Sequence, residues 1–141
     1  TASSIGSDAC LPVNVTHFDQ SHGFQSKNEQ DSWICFDFKN CRVVPTNYHI
    51  KSYNGGCSSS WHHPKTWVIE GKSDENGKFE NLDGKSDCSI LNSNSVSHIF
   101  EINNPEGKEF RYIRMRQTAP NGANFHILAI CSFEIYGSLI E

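Results

Sequence analysis

The stretch HPKTWVIEGKSDENGKFENLD, residues 63–83, decides the fold. Its first part alternates as an extended strand does, so Trp67 and Ile69 share one face and the residue after each of them points to the other. A buried aromatic side chain removes about 150 Å² or more of surface from water. We therefore expect Trp67 and Ile69 to anchor a central strand in the core.

Turn residues follow this strand. We expect Gly71 to lie where a partner sheet comes close, because a glycine in a strand allows another element to approach. Asn76-Gly77 is the strongest short hairpin signal in the chain, and Asp83-Gly84 is a second turn dipeptide. The sequence therefore predicts a strand followed by turns at both dipeptides.

Apolar residues recur with a period near two in five further segments, which is typical of β-strands. In one of them Ile113 and Met115 share a face, and the opposite face, with Tyr112, Arg114 and Arg116, is expected to look towards solvent. The segments are SWICFDF (32–38), RVVPTNYHIKSY (42–53), HIFEI (98–102), FRYIRMRQT (110–118) and ILAICSFEIYG (127–137).

Other features refine this all-β pattern. Pro45 predicts an edge or a bulge, because proline cannot donate to a ladder. Helix is expected at most as a short turn near residues 13–19. About seven or eight short antiparallel strands, cut by Gly, Asn, Asp, Ser and Pro, predict a two-sheet sandwich or jelly roll formed by one domain, residues 1–141.

Composition excludes several classes of protein. The 141 residues carry 12 basic and 16 acidic side chains, a formal charge of −4, and no basic cluster longer than RYIRMR, so we expect no nucleic-acid partner. No apolar run approaches the ~20 residues that a membrane helix needs, so we expect no transmembrane segment. TASSIGSDAC at the start lacks the features of a signal peptide, although these residues do not exclude a leader that was removed earlier.

The six cysteines include no CxxC pair, and Cys35 and Cys131 fall within apolar strand segments, where a thiol behaves as a small hydrophobe. We therefore expect reduced thiols and a cytoplasmic location. The alternative is an extracellular or cell-surface chain with disulfides, for which the single sequon at Asn14 is weak support.

The segments SWICFDF, VVPTNYHIKSY, HPKTWVIEGKSDENGKFENLD, FRYIRMRQT and FEIYG together resemble the discoidin, or coagulation-factor type-C (F5/8 type C), domain of the galactose-binding domain-like superfamily. Lys72, where a small residue is usual, and Phe79, in place of a second Trp, depart from the family pattern. RYIRMRQT with TAPNG is similar to variants in intracellular and protist proteins. The resemblance implies an eight-stranded antiparallel jelly-roll β-sandwich that binds through loops at one end and performs no chemistry.

Catalytic and zinc sites find little support in the residues. Adjacent side chains in an extended segment point apart, so His62 and His63 cannot easily hold one ion with Cys57, and a fourth ligand is missing. Ser58 to Ser60 lie near these histidines without a nucleophile elbow or an orienting acid. Asp37 and Glu70 have no visible carboxylate partner. We expect no enzymatic activity.

A binding site is expected where three loops meet, SHGFQSKNEQD (21–31), NGGCSSSWHHP (54–64) and APNGANFH (119–126), because alternate connections of a jelly roll collect at one end. Aromatic faces beside imidazoles and amides suit a sugar and equally suit a protein hot spot. The candidates are the aromatic platforms Phe24, Trp61 and Phe125 and the hydrogen-bonding residues His22, His62, His63, Asn121 and Asn124.

The resemblance also implies that sugar-binding members combine an aromatic with His, Arg and Asn from these loops, but no clear loop Arg is present here. Some of those members hold calcium, and Asp19 and Glu134 approximate the positions of two ligands. We favour the competing view, in which Asp19 caps a turn and Glu134 faces water or Arg114, because calcium needs six or more oxygen ligands. No cofactor is expected.

The predicted function is a non-catalytic module that mediates protein interaction or scaffolding through its loops. The alternative is a lectin-like module for a galactose-type or related glycan.

Overall fold

The computed structural model describes residues 1–16, 23–53 and 62–141, which form two four-stranded antiparallel sheets. Its elements are a 3-10 helix at Pro12–Thr16 and the strands β1 (Phe24–Gln25), β2 (Trp33–Asp37), β3 (Arg42–Ser52), β4 (Trp67–Lys72), β5 (Glu80–Lys85), β6 (Ser97–Glu101), β7 (Tyr112–Gln117) and β8 (Ala129–Ile140). One sheet, here the Trp67 sheet, has the order β2-β7-β4-β5, and the other, the Tyr48 sheet, has the order β1-β8-β3-β6. Within these ranges no helix is long and apolar enough to span a membrane.

The predicted eight-stranded antiparallel sandwich is confirmed, including the strands expected in all six alternating segments and the helical turn near residue 13. Two strands, β1 and β5, were not expected. The predicted turn at Asp83-Gly84 is wrong, because both residues lie inside β5 and pair with β4. At this position the pairing of β5 with β4 and the hydrogen bond from Tyr48 to Asp83 outweigh the local preference for a turn.

Pro45 marks a bulge, as predicted, although β3 lies between β8 and β6. The pairing of β3 with β8 shifts between Pro45 and Asn47, next to Gly137 of β8. The pairing with β6 covers only Asn47 to Lys51, so it leaves out the proline that could not donate to it. The bulge therefore lets a proline stay in an interior strand.

A buried chain of hydrogen bonds joins the two sheets. Trp67 and Ile69 are fully buried, as predicted. The indole Nε1 of Trp67 donates to the hydroxyl of Tyr48 at 3.1 Å, and that hydroxyl donates to Oδ2 of Asp83 at 2.5 Å. The chain leaves the Trp67 sheet, crosses to the Tyr48 sheet and returns, so it fixes the two layers relative to each other.

The outer face of the Trp67 sheet carries Arg114 and Arg116, as predicted, but these side chains are not simply solvated. Both bind the buried carboxylate of Glu70, with Arg114 Nη2 at 2.6 Å and Arg116 Nη2 at 2.8 Å. Burial acts to raise the pKa of Glu70, and the hydrogen bonds from Arg116 and Arg114 outweigh it and lower that pKa. The carboxylate expected to stand alone is therefore the centre of an ion-pair network.

Gly71 provides a test of the predicted close approach of the sheets. A Cβ at this position would lie 2.7 Å from Cδ1 of Phe110 and 3.0 Å from Cδ1 of Leu82, whereas one at Gly84 would meet nothing nearer than Val68 Cγ1 at 3.7 Å. We expect Gly71→Ala to lower the free energy of unfolding by about 1–3 kcal/mol, the usual cost of overpacking, in urea denaturation. Gly84→Ala is the matched control and should change it little; equal effects of the two would contradict the close approach.

Candidate functional site

Four described segments meet at one end of the sandwich, here called the loop end: 26–32, 62–66, 86–96 and 118–128. The backbone N–H of His126 donates to Asn28 Oδ1 at 2.7 Å, and Ser26 exchanges hydrogen bonds with Leu128. Lys65 accepts a bond from the N–H of Cys88 at 2.7 Å. The convergence predicted for the loops is therefore confirmed for the parts that the structure describes, with the segment before β6 as an unexpected member.

Asn121 organises the loop between β7 and β8. Its Oδ1 accepts the backbone N–H groups of Ala123 at 3.0 Å and Phe125 at 3.1 Å, and its Nδ2 donates to the carbonyl of Ile127 at 3.0 Å. The same Nδ2 lies 3.1 Å from Nδ1 of His62. A single buried amide thus holds the loop in a closed shape and ties it to the segment after β3.

The surroundings of His62 fix its tautomer. Because Nδ2 of Asn121 is a donor, Nδ1 of His62 must accept and the proton of the neutral ring lies on Nε2. Burial lowers the pKa of His62, the charge of His63 lowers it further, and the bond to Asn121 opposes both. The rings of His62 and Phe125 make an edge-to-face contact, with centroids 5.4 Å apart and planes at 73°. His62 is therefore a neutral support for the Phe125 ring.

His63 supports a different loop. Its Nε2 lies 3.0 Å from Oδ1 of Asn94, in the segment before β6, and its carbonyl accepts the N–H of Gly122 at 3.0 Å. The two adjacent histidines therefore bond to partners on separate loops, as expected for side chains that point apart. Among the described residues no group of three or more His, Cys, Asp or Glu side chains could hold a metal ion; Cys57 lies outside the described residues.

Two of the predicted site residues are exposed at the loop end. Phe125 is 45% exposed, and Asn124 beside it is exposed with a left-handed backbone, φ 65°. His62, His63 and Asn121 were expected to offer hydrogen bonds at the surface, but all three are buried and spend polar atoms on the loops themselves. These three residues hold the loop that carries the exposed Phe125 and Asn124.

The prediction that Phe24 is an exposed aromatic platform is wrong. It is 0% exposed and lies in the core, because β1 pairs Phe24 with Ile130 of β8. Two other candidates, His22 and Trp61, lie outside the described residues, as does Asp19 of the approximate calcium pair.

Glu134, the other residue of that pair, accepts a hydrogen bond from the Tyr136 hydroxyl at 2.8 Å and lies 3.9 Å from Nδ1 of His49. Of the two surroundings expected for Glu134, water fits, because its side chain is 39% exposed, whereas Arg114 pairs with Glu70 on the other sheet. Asn28 and Asn94 hold the loop end together and were not singled out from the sequence; polar loop residues without a pattern give no signal of such a role.

No family model matches the sequence, and no curated protein matches it. Solved structures do resemble the fold. Chitosan-binding module 1 of a chitosanase/glucanase from Paenibacillus sp. IK-5 superimposes with a TM-score of 0.71 at 13% identity, covering 97% of this chain and 92% of that chain. The family 32 carbohydrate-binding module of NanJ from Clostridium perfringens, in complex with galactose, gives 0.69 at 9% identity, covering 96% and 90%.

A fucolectin from striped bass serum, Morone saxatilis, gives a TM-score of 0.72 at 16% identity; it covers 100% of this chain, which spans 45% of that chain. Identities this low establish the fold alone. That fold is the antiparallel galactose-binding-like sandwich, and the expectation drawn from the discoidin resemblance is confirmed at this level.

The buried histidines predict how stability depends on pH. An unfolded histidine takes up a proton near pH 6.5, whereas burial lowers the pKa of His62 and of His49 in the folded chain. The unfolded state then binds more protons, so the free energy of unfolding falls as the pH drops below about 6.5. Thermal unfolding followed between neutral and mildly acidic pH should show this fall, and His62→Gln should make it shallower.

His98→Gln is the matched control, because His98 is exposed on β6. The comparison uses the slope against pH, since His62→Gln also removes a hydrogen bond and lowers stability at every pH. A slope that stays the same in His62→Gln would show that His62 is not held neutral by burial.

Proposed function

We propose that this chain is a non-catalytic carbohydrate-binding module that contacts its ligand through the loop end. The observation that carries the proposal is the exposed ring of Phe125, 45% accessible on a loop whose backbone is otherwise closed by hydrogen bonds. An aromatic face binds the apolar C–H face of a sugar, and the exposed amide of Asn124 beside it suits the hydroxyl groups.

The Phe125 ring is held in place before a ligand arrives. Its N–H is bound to Asn121, its carbonyl accepts the N–H of Asn121 at 2.8 Å, and its ring makes an edge-to-face contact with His62. Ordering a loop on binding costs affinity, so a ring already fixed in its orientation binds more tightly than a mobile one. The buried histidine and asparagine therefore contribute to binding without having to touch the ligand.

Two arguments favour a sugar over a protein partner. The solved structures with this fold include a module that binds chitosan and one in complex with galactose. The exposed residue before Phe125 in the sequence is Asn124, whose amide suits the hydroxyl groups of a sugar better than the apolar centre of a protein interface. Protein interaction or scaffolding was the main prediction from the sequence, and the experiment below tests it against carbohydrate binding.

The two histidines of the loop end have partners that suit a structural role. Within the described ranges the imidazole of His62 bonds to Asn121 and that of His63 to Asn94. The residues considered as nucleophiles, Cys57 and Ser58 to Ser60, lie outside the described residues. We treat residues 1–141 as one binding domain. The cytoplasmic location stays a prediction, which counting of thiols in the denatured chain would test.

Phe125→Ala on a glycan array tests the proposal. We expect the wild-type chain to bind a set of glycans and the variant to lose at least tenfold in affinity, because truncation of an aromatic anchor costs about 2 kcal/mol or more. Asn124→Gly removes the neighbouring amide without opposing the positive φ and should weaken binding less.

Ile99→Ala is the matched control, since Ile99 is 54% exposed on β6, and it should bind as the wild type does. Trp61→Ala adds a test of the aromatic next to His62 in the sequence. Absence of any glycan ligand, together with a protein partner that is lost with Phe125→Ala, would replace carbohydrate binding by protein interaction.

A further inference from the structure

We propose that the loop end contains an acid-sensitive switch, in which one proton on Nδ1 of His62 undoes the hydrogen bonds that hold Phe125 in place. In a carbohydrate-binding module this switch releases the sugar at mildly acidic pH. The release of the sugar rests on the function proposed above, whereas the change in the loop that carries Phe125, residues 118–128, does not.

The amide of Asn121 has only one orientation that satisfies its neighbours. Its Oδ1 accepts the N–H groups of Ala123 at 3.0 Å and Phe125 at 3.1 Å, and its Nδ2 donates to the carbonyl of Ile127 at 3.0 Å. An amide that is turned over would set Nδ2 against two donors and Oδ1 against a carbonyl oxygen. The three backbone groups therefore decide that Nδ2, a donor, faces His62.

The neutral imidazole of His62 fits this donor and the protonated one does not. In the neutral ring Nδ1 accepts from Nδ2 of Asn121 at 3.1 Å, whereas an imidazolium carries a proton on both nitrogens. Protonation therefore sets two donors against each other. Because His62 is buried, water does not readily supply the missing acceptor, and a polar hydrogen left unpaired is costly.

The charged ring regains an acceptor only if Asn121 turns over. The bond to Asn121 acts to raise the pKa of His62, and it can do so only through Oδ1, because only an acceptor stabilises the new N–H. When Oδ1 turns towards His62, the N–H groups of Ala123 and Phe125 lose the oxygen that held them. The loop then opens, and the ring of Phe125 loses its fixed contact with His62.

Acid favours the open loop because the open loop binds the proton more tightly. Burial and the charge of His63 lower the pKa of His62 in the closed loop, and in an open, solvated loop this pKa returns towards about 6.5. As the pH falls below about 6.5, the open form takes up protons before the closed form does, so the equilibrium shifts towards it. At neutral pH both forms are uncharged and the hydrogen bonds keep the loop closed.

The adjacent histidine does not respond in this way. Nε2 of His63 faces Oδ1 of Asn94, an acceptor, so His63 donates this bond in both its neutral and its charged form. Among the described residues, His63 is the one group whose charge acts on the pKa of His62. The other acidic, basic and imidazole side chains on the four segments of the loop end are Lys27, Glu29, Asp31, Lys65, Asp87 and His126.

An NMR titration of the chain without ligand tests the switch. We expect the ring signals of His62 and the backbone N–H signals of Ala123 and Phe125 to change with one common midpoint below about pH 6.5. The same two N–H groups should lose about fivefold or more of their protection against hydrogen exchange, because each loses its acceptor. The N–H of Ile69, inside β4, should stay protected and so show that the sandwich is still folded.

His62→Gln is the decisive variant, because Oε1 of glutamine accepts from Asn121 at any pH and takes up no proton. Its loop signals should not respond to acid. His126→Gln is the matched control, since it removes another imidazole of the same loop, and it should respond as the wild type does. His63→Gln should move the midpoint to higher pH, because it removes the charge that opposes protonation of His62.

Binding of galactose, the sugar in complex with the NanJ module, extends the test to function. We expect the wild-type chain to bind galactose about fivefold or more weakly at about pH 5 than at about pH 7, because a ring that is no longer held in place binds less tightly. His62→Gln should bind galactose equally at both pH values, and His126→Gln should lose affinity as the wild type does.

Three results would overturn the switch. They are titration of the His62 ring without a change at Ala123 and Phe125, an unaltered acid response in His62→Gln, and loss of protection at Ile69 together with the loop. Equal affinity of the wild type for galactose at the two pH values would overturn the release of the sugar. Absence of galactose binding at both pH values would contradict this sugar as the ligand, and the common midpoint in the NMR titration would still support the switch.

Discussion

The need of one buried indole for a hydrogen-bond acceptor constrains the whole sandwich. Trp67 lies in the core with no exposed surface, and a polar N–H left unpaired there would cost about 1–3 kcal/mol. The hydroxyl of Tyr48 on the opposite sheet accepts this hydrogen bond and donates one of its own to Asp83. Burial and the neighbouring Asp83 raise the pKa of Tyr48, so the phenol stays a neutral donor. Each of the three groups is satisfied only when the two sheets and β5 are in this arrangement.

The loop end depends on this core through the backbone. Just before Trp67, Thr66 accepts the N–H of Thr118 at 3.3 Å, where the loop between β7 and β8 begins. His62, four residues before Thr66, and Asn121, three residues after Thr118, then bond to each other. The position of Phe125 is therefore set in two steps, first by the strands that leave the core and then by buried polar side chains that close the loop.

The sequence predicts the layers much better than the site. Alternating apolar residues identify a strand whose two faces differ, and Trp67 and Ile69 are buried for that reason. Burial of polar residues follows from partners that are distant in the chain, such as Asn94 for His63, and no local pattern records such a partner. Asp83-Gly84 fails for the same reason: its turn preference is local, whereas the hydroxyl of Tyr48 that holds it comes from the other sheet.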